Sequence, residues 1–291
     1  MGSTVVAAVL AAGAACGIRA GAALQQQAAY GTTGPGTRGI RLIAVLLRRP
    51  VWLLGIAVMV VGFGLQAAAL DLGRLAVVEP VLATSLVVAV VVSARLRRLW
   101  PRPEDWFAMG LAAGGVALFL VVAAPAGGRS QPPAVSWVAL LGAVALLGFG
   151  AIWGSRRWLP PRKAMALAAV AGITLGCSDA LVKTTVAVVS AQQLAVLATF
   201  TPYVLLVVGG SGFLLQQHAY RIGELKAALP AASVLEPLTG TVIGLTLFSE
   251  RIAVHDAGSG AVLLSAALIA IAGVWRLGSA PLLAQDHAVR S

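Results

Sequence analysis

Residues 212–250 read GFLLQQHAYRIGELKAALPAASVLEPLTGTVIGLTLFSE, two apolar runs that meet at a short charged turn between Arg221 and Lys226. The second run holds Glu236-Pro237 deep within it and ends at Glu250. A carboxylate at that depth is costly unless it serves something. An earlier stretch repeats the pattern. Residues 62–75 (GFGLQAAALDLGRL) match residues 212–225 (GFLLQQHAYRIGEL) without gaps at Gly, Phe, Leu, Gln, Ala, Gly and Leu. Each copy is followed by an apolar run with a Glu-Pro inside it, Glu79-Pro80 and Glu236-Pro237. The shared Gly-Phe-x-Leu-Gln and the two Glu-Pro pairs mark an internal repeat.

Working outward, the whole chain has the character of this stretch. Of 291 residues 59% are hydrophobic and 11% charged, with mean hydropathy +0.92. That leaves too little polar surface to cover a soluble globule of this size, so the chain belongs in a bilayer. The net charge of +11 does not indicate nucleic acid, because the basic residues sit in short segments between apolar runs and no basic domain gathers them. Cys16 and Cys177 lie in separate apolar runs, without metal spacing, as small packing residues. The N-terminus lacks the positive region of a secretory signal, so its first apolar run is expected to remain as a helix.

A spanning helix needs about 20 apolar residues. Nine stretches qualify, at approximately 4–28, 50–70, 74–94, 106–124, 135–154, 164–188, 200–220, 226–248 and 257–276. The expected fold is therefore all-α and polytopic. The first four stretches (1–124) form one repeat, the fifth and its loop (125–163) a link, the last four (164–277) a second, inverted repeat, and 278–291 a tail. Sixteen Lys and Arg residues fall in connections on one side, among them Arg48, Arg95, Arg156 and Lys163. Only Arg74, Arg129 and Arg251 fall on the other, while Arg19 and Lys183 lie inside helices. The positive-inside rule then places the C-terminus in the cytoplasm and the N-terminus outside, in the cytoplasmic membrane. Gly13, Gly17 and Gly21, with Gly172 and Gly176, have the spacing that lets helices approach closely in lipid. Segments 40–47 and 192–197 are too short to span, and 31–39 and 125–133 read as loops.

The chain resembles the drug/metabolite transporter superfamily, particularly its EamA-type members and the related NIPA-type magnesium transporters. The resemblance covers most of the chain and rests on Val234-Leu-Glu-Pro-Leu238, Leu247-Phe-Ser-Glu-Arg251 and a Gly-rich last helix, with Val77-Val-Glu-Pro-Val81 as the first-half counterpart. EamA-type chains are expected to have ten helices rather than nine. The Arg48-Arg-Pro-Val-Trp52 segment and the helix after it lean toward the NIPA side. The resemblance implies a secondary transporter and leaves its substrate undecided.

Ionisable groups inside a bilayer cost about 2.5–3.5 kcal/mol each on insertion scales and are functional candidates by default. Here these are Arg19, Glu79, Asp179, Lys183 and Glu236. Asp179 and Lys183 are four residues apart, share a helix face and can pair, either structurally or for transport. Glu79 and Glu236 occupy related positions, each before a proline that frees a carbonyl, and either could bind and release a proton. The competing reading is a simple bend with a hydrogen bond to a neighbour. Gln66 and Gln216 are repeat-matched amides. Gln25, Gln26, Gln27, Gln217 and His218 add polar groups near helix ends.

The reading is a secondary transporter of a small metabolite working by alternating access, with the bilayer as its surroundings, no nucleic-acid partner, no cofactor and a homodimer left open. Arg19 and Lys183 in the cavity would favour anionic or zwitterionic solutes over a divalent cation. A divalent-cation carrier and a non-transporting or lipid-flipping subunit of envelope assembly are the alternatives. An intramembrane serine hydrolase is disfavoured, because Gly209-Gly-Ser-Gly212 has no suitably placed base in His218 or His255. No phosphate loop, metal-ligand cluster or ATP-binding domain is visible.

Overall fold

A computed structural model describes residues 2–30, 47–88, 91, 100, 102–123, 126–129, 131–222, 225–252 and 256–278. Most of segment 40–47, the loop 31–39 and the tail beyond Gly278 lie outside the described residues, as do Arg38, Arg41, Arg95, Arg97, Arg98 and Arg290. The helices are α1 (Gly2–Tyr30), α2 (Pro50–Leu72), α3 (Leu75–Ala83), α4 (Pro103–Ala123), α5 (Ala134–Gly154), α6 (Pro160–Gln192), α7 (Thr201–Ile222), α8 (Leu225–Thr246) and α9 (Ala257–Gly278). Two-residue strands, β1 (Ala126–Gly127) and β2 (Glu250–Arg251), pair antiparallel with Gly127 opposite Glu250.

Six helices, α1, α2, α4, α5, α6 and α9, are long and apolar enough to cross a membrane. Their outward side chains include Val60, Val61, Val121, Leu146, Leu264 and Leu268, all well exposed. A surface this apolar is stable only against lipid, so the chain is an all-α membrane protein. Helix α6 is central: 61% of its spanning window is buried, against 11–33% for the other five.

Local chemistry sets the helix ends. Pro50 starts α2 with its missing N–H in the first turn, where no bond is lost. Asp105 accepts a hydrogen bond from the Arg102 N–H (2.9 Å) at the head of α4. At the head of α9 the Ser259 N–H donates to Asp256 Oδ1 (2.7 Å), while Ser259 Oγ accepts from the Asp256 N–H (3.1 Å). The expected third stretch is not one helix. It turns at Thr84, whose hydroxyl donates to the Val81 carbonyl (2.6 Å), and is helical again from Ser85, with residues 89–90 and 92–99 outside the described residues. At Thr84 the backbone N–H turns to the Val81 carbonyl (3.1 Å), while Pro80, inside α3, leaves the Ala76 carbonyl without its ladder bond. In segment 192–197, too short to span, α6 ends at Gln192 and is followed by a 3₁₀ helix, Gln193–Ala198.

Helices approach through glycine. Helix α1 packs closely on α2 and α6 on both α7 and α8, α3 touches α8, and α4 packs on α9. A Cβ added at Gly21 would stand 2.6 Å from the Gly55 carbonyl oxygen, and one at Gly172 would stand 2.7 Å from that of Ala232. Gly115 and Gly273 do the same between α4 and α9. Gly21→Ala is therefore expected to separate α1 from α2 and lower stability by about 1–3 kcal/mol. Gly64→Ala on α2, where nothing lies within 4 Å of the new methyl, should stay within about 0.5 kcal/mol. Unfolding of the purified protein in detergent measures both, and equal effects would contradict the packing.

Candidate functional site

Helices α1, α2, α3, α6, α7 and α8 enclose a cavity of ≈ 610 Å³. Six of the seven candidate residues line it: Arg19, Gln66, Glu79, Asp179, Gln216 and Glu236. Phe63 and Phe213, the repeat-matched phenylalanines, also line it, together with Ser85, Ser178 and Ser233. Lys183 is not among the lining residues.

The seventh candidate has a different partner from the one its sequence neighbours suggest. Lys183 Nζ donates to Glu250 Oε1 (2.8 Å) and to the Gly73 carbonyl (2.9 Å), and it stands 5.1 Å from the centre of the Phe248 ring. Asp179 instead accepts a hydrogen bond from Gln66 Nε2 (2.9 Å), which ties α6 to α2. The 179–183 spacing does put both side chains on one face of α6. Glu250, brought in by the β1–β2 pairing, offers the lysine a carboxylate in a drier place.

Glu250 does more than pair. Its Oε1 accepts from the Leu75 N–H and its Oε2 from the Ala76 N–H, both at 2.9 Å, so it caps α3 from a distant segment. The Lys183 and Glu250 side chains are 9% and 1% exposed. Around this pair, Arg74 Nε donates to the Gly127 carbonyl (2.9 Å) and Arg129 Nε to that of Leu247 (2.9 Å). The Arg129 N–H also donates to the Phe248 carbonyl (2.8 Å), and Phe248 meets Trp137 edge to face at 6.3 Å. One end of the bundle, carrying residues 73–74, 126–129 and 247–251, is thereby drawn shut about a turn from Glu79.

Inside the cavity three carboxyl groups gather around one guanidinium among the described lining residues. Glu79 is within electrostatic reach of Asp179 and Glu236, and Glu236 of Arg19. Arg19 Nε donates to Ser85 Oγ (3.1 Å) and is the one guanidinium facing three carboxylates among the described lining residues. Glu79 is 1% exposed, and its Oε1 has no hydrogen-bond partner among the described residues. An unpartnered buried carboxylate oxygen is an expensive group, and a proton or a cationic ligand would relieve it.

Two glycines of α8 make room for these carboxylates. A Cβ at Gly240 would collide with the Glu79 side chain, and one at Gly244 would stand 2.6 Å from Glu250 Oε2. Neither stands out in the sequence, where Gly in an apolar run reads as ordinary packing. Gly240→Ala is expected to displace Glu79 and weaken ligand binding about tenfold, as for the loss of one charge-assisted contact. Gly210→Ala, with open space around the added methyl, should bind normally in the same titration.

The remaining polar candidates do not join the site. His218 and Gln217 are exposed, Gln25 donates to Met59 Sδ (3.7 Å), Gln217 is not among the described lining residues, and the Gln26 and Gln27 side chains lie outside what the structure describes. Ser211 is exposed and donates to the Val208 carbonyl (2.9 Å), and His255 lies outside the described residues. No group of three or more His, Cys, Asp or Glu side chains among the described residues is placed to hold a metal ion.

Comparison with known proteins finds an uncharacterized protein of Corynebacterium glutamicum that is 28% identical over 258 residues, 88% of this chain and 89% of that one. No family model matches the chain, and no solved structure matches it.

Proposed function

We propose that this chain is a secondary transporter of the drug/metabolite type that carries a small, positively charged organic solute across the cytoplasmic membrane in exchange for protons. The observation that carries the reading is the pair Glu79 and Glu236, each preceding a proline and each in the same buried cavity, with Asp179 beside them. A carboxylate that alternately holds a proton and a cation is served by this setting: a site between helices, carboxylates that outnumber the one arginine, and a proline that frees a backbone carbonyl nearby. Placing Lys183 against Glu250 reverses the charge preference that Arg19 and Lys183 together suggest, because three carboxylates then face one arginine.

The matched contacts support two repeats: α1 packs on α2 and α3 as α6 does on α7 and α8. With nine spans the repeats cross the membrane in opposite senses. The end tied by Lys183 and Glu250 then faces outward, because its loops carry only Arg74, Arg129 and Arg251. On the opposite side Arg156 stacks over Trp153 at 4.1 Å, an arrangement suited to the lipid headgroup level. Alternating access on this reading requires the outer closure to open as the cavity closes inward.

The test is proton release by purified protein when organic amines, amino acids, nucleosides or Mg²⁺ are added. Release on addition of amines, absent in Glu236→Gln, is the expected result. Release with Mg²⁺ alone would favour a divalent-cation carrier, and silence across the panel from folded protein would contradict proton coupling.

A further inference from the structure

A second, smaller space of ≈ 80 Å³ lies against the large cavity, between the α3–α8 pair and the α4–α9 pair. Val116, Phe119, Leu238, Ile271 and Val274 are among its walls, and among the described lining residues the hydroxyls of Ser233 and Thr241 are the only side-chain polar groups. The two spaces share Ala83, Ser233 and Pro237, so the partition between them consists of small side chains and a stretch of α8 where Pro237 removes a ladder bond. Phe119, Leu238, Thr241 and Ile271 are all half-buried, which leaves the crevice open toward the outer surface of the bundle. Helices α4 and α9 pack on each other through Gly115 and Gly273 and meet α3 and α8 much less closely.

A site with three carboxylates on one side of a thin partition and a charge-free crevice on the other is matched to a ligand with the same two halves. We infer that the ligand is an amphiphilic amine. Its cationic head lies among Glu79, Asp179 and Glu236, and its apolar chain crosses at Ala83, Ser233 and Pro237 into the crevice between α3, α8, α4 and α9. The inference rests on the cavity being the ligand site of the proposed transporter, and it concerns binding alone. A purely hydrophilic solute would leave the crevice unused, and a neutral lipid would leave the carboxylates without a counter-charge.

The test is photolabelling of the purified full-length protein with a long-chain primary amine carrying a diazirine near the end of its chain, followed by mapping of the labelled residues. Label is expected on Phe119, Leu238 and Ile271. It should fall about tenfold when the head is a carboxylate on the same chain, the scale of losing one charge-assisted contact. Ala267→Phe, which fills the crevice from α9, should lower it similarly, and Thr241→Phe serves from the opposite wall if the first variant does not fold. Equal labelling by the amine and the carboxylate, or label confined to outward residues such as Leu264 and Leu268, would overturn the inference. If short polar amines release protons as proposed while the long-chain amine leaves the crevice unlabelled, the transporter reading stands and the amphiphile falls. Absence of both signals removes both.

Discussion

Lys183→Met should lower the stability of the protein by about 3–5 kcal/mol, the usual cost of removing one partner from a buried ion pair. The lysine is almost the same size as methionine, so little packing is lost. What remains is Glu250, 1% exposed in its side chain, with its two backbone N–H donors and no counter-charge. The Gly73 carbonyl loses its donor as well. The double variant Lys183→Met/Glu250→Gln separates charge from capping: the glutamine oxygen can still cap α3, and no unpaired charge is left. It should recover more than half of the loss. Unfolding in detergent reads both variants, and a single variant within about 0.5 kcal/mol of the unmodified protein would show that the pair is not a closed, dry contact.

Changing Glu79 and Glu236 together to glutamine should abolish proton-coupled transport while leaving the fold intact. Glutamine keeps the size and the oxygen of each side chain and removes only the ability to carry charge and release a proton. Coupled uptake is expected to fall about hundredfold, equivalent to roughly 2.8 kcal/mol of lost interaction with the transported cation. Stability should hold or rise, because one buried and one half-buried acidic group, the first with an oxygen lacking a partner among the described residues, are replaced by neutral amides. A large fall in stability with unchanged transport would make these two residues structural and would return the Glu-Pro pairs to the role of helix bends.

Apolar length placed the helices in the sequence, and the repeated Glu-Pro and Gly-Phe-x-Leu-Gln patterns pointed to residues that come together in one cavity. Both signals are local, which is why they are legible without a structure. The partner of Lys183 was not, because Asp179 one turn away satisfies every local rule for an ion pair. The competing partner, Glu250, is 67 residues distant and arrives through a pairing of two residues with two. Strands that short have no alternation to read. The break at Thr84 was hidden by continuous apolar character from residue 75 to 88, and Gly240 was hidden by the abundance of glycine, 33 residues in all. For Lys183 and Gly240 the deciding contact joins segments far apart in the chain, where hydrophobic periodicity carries no information.

The most direct measurement is uptake of organic amines into liposomes containing the purified protein, with and without an outward proton gradient. The account predicts that the gradient drives accumulation and that Glu79→Gln/Glu236→Gln vesicles show none above protein-free vesicles. Gradient-driven accumulation by the double variant at the unmodified rate would contradict it.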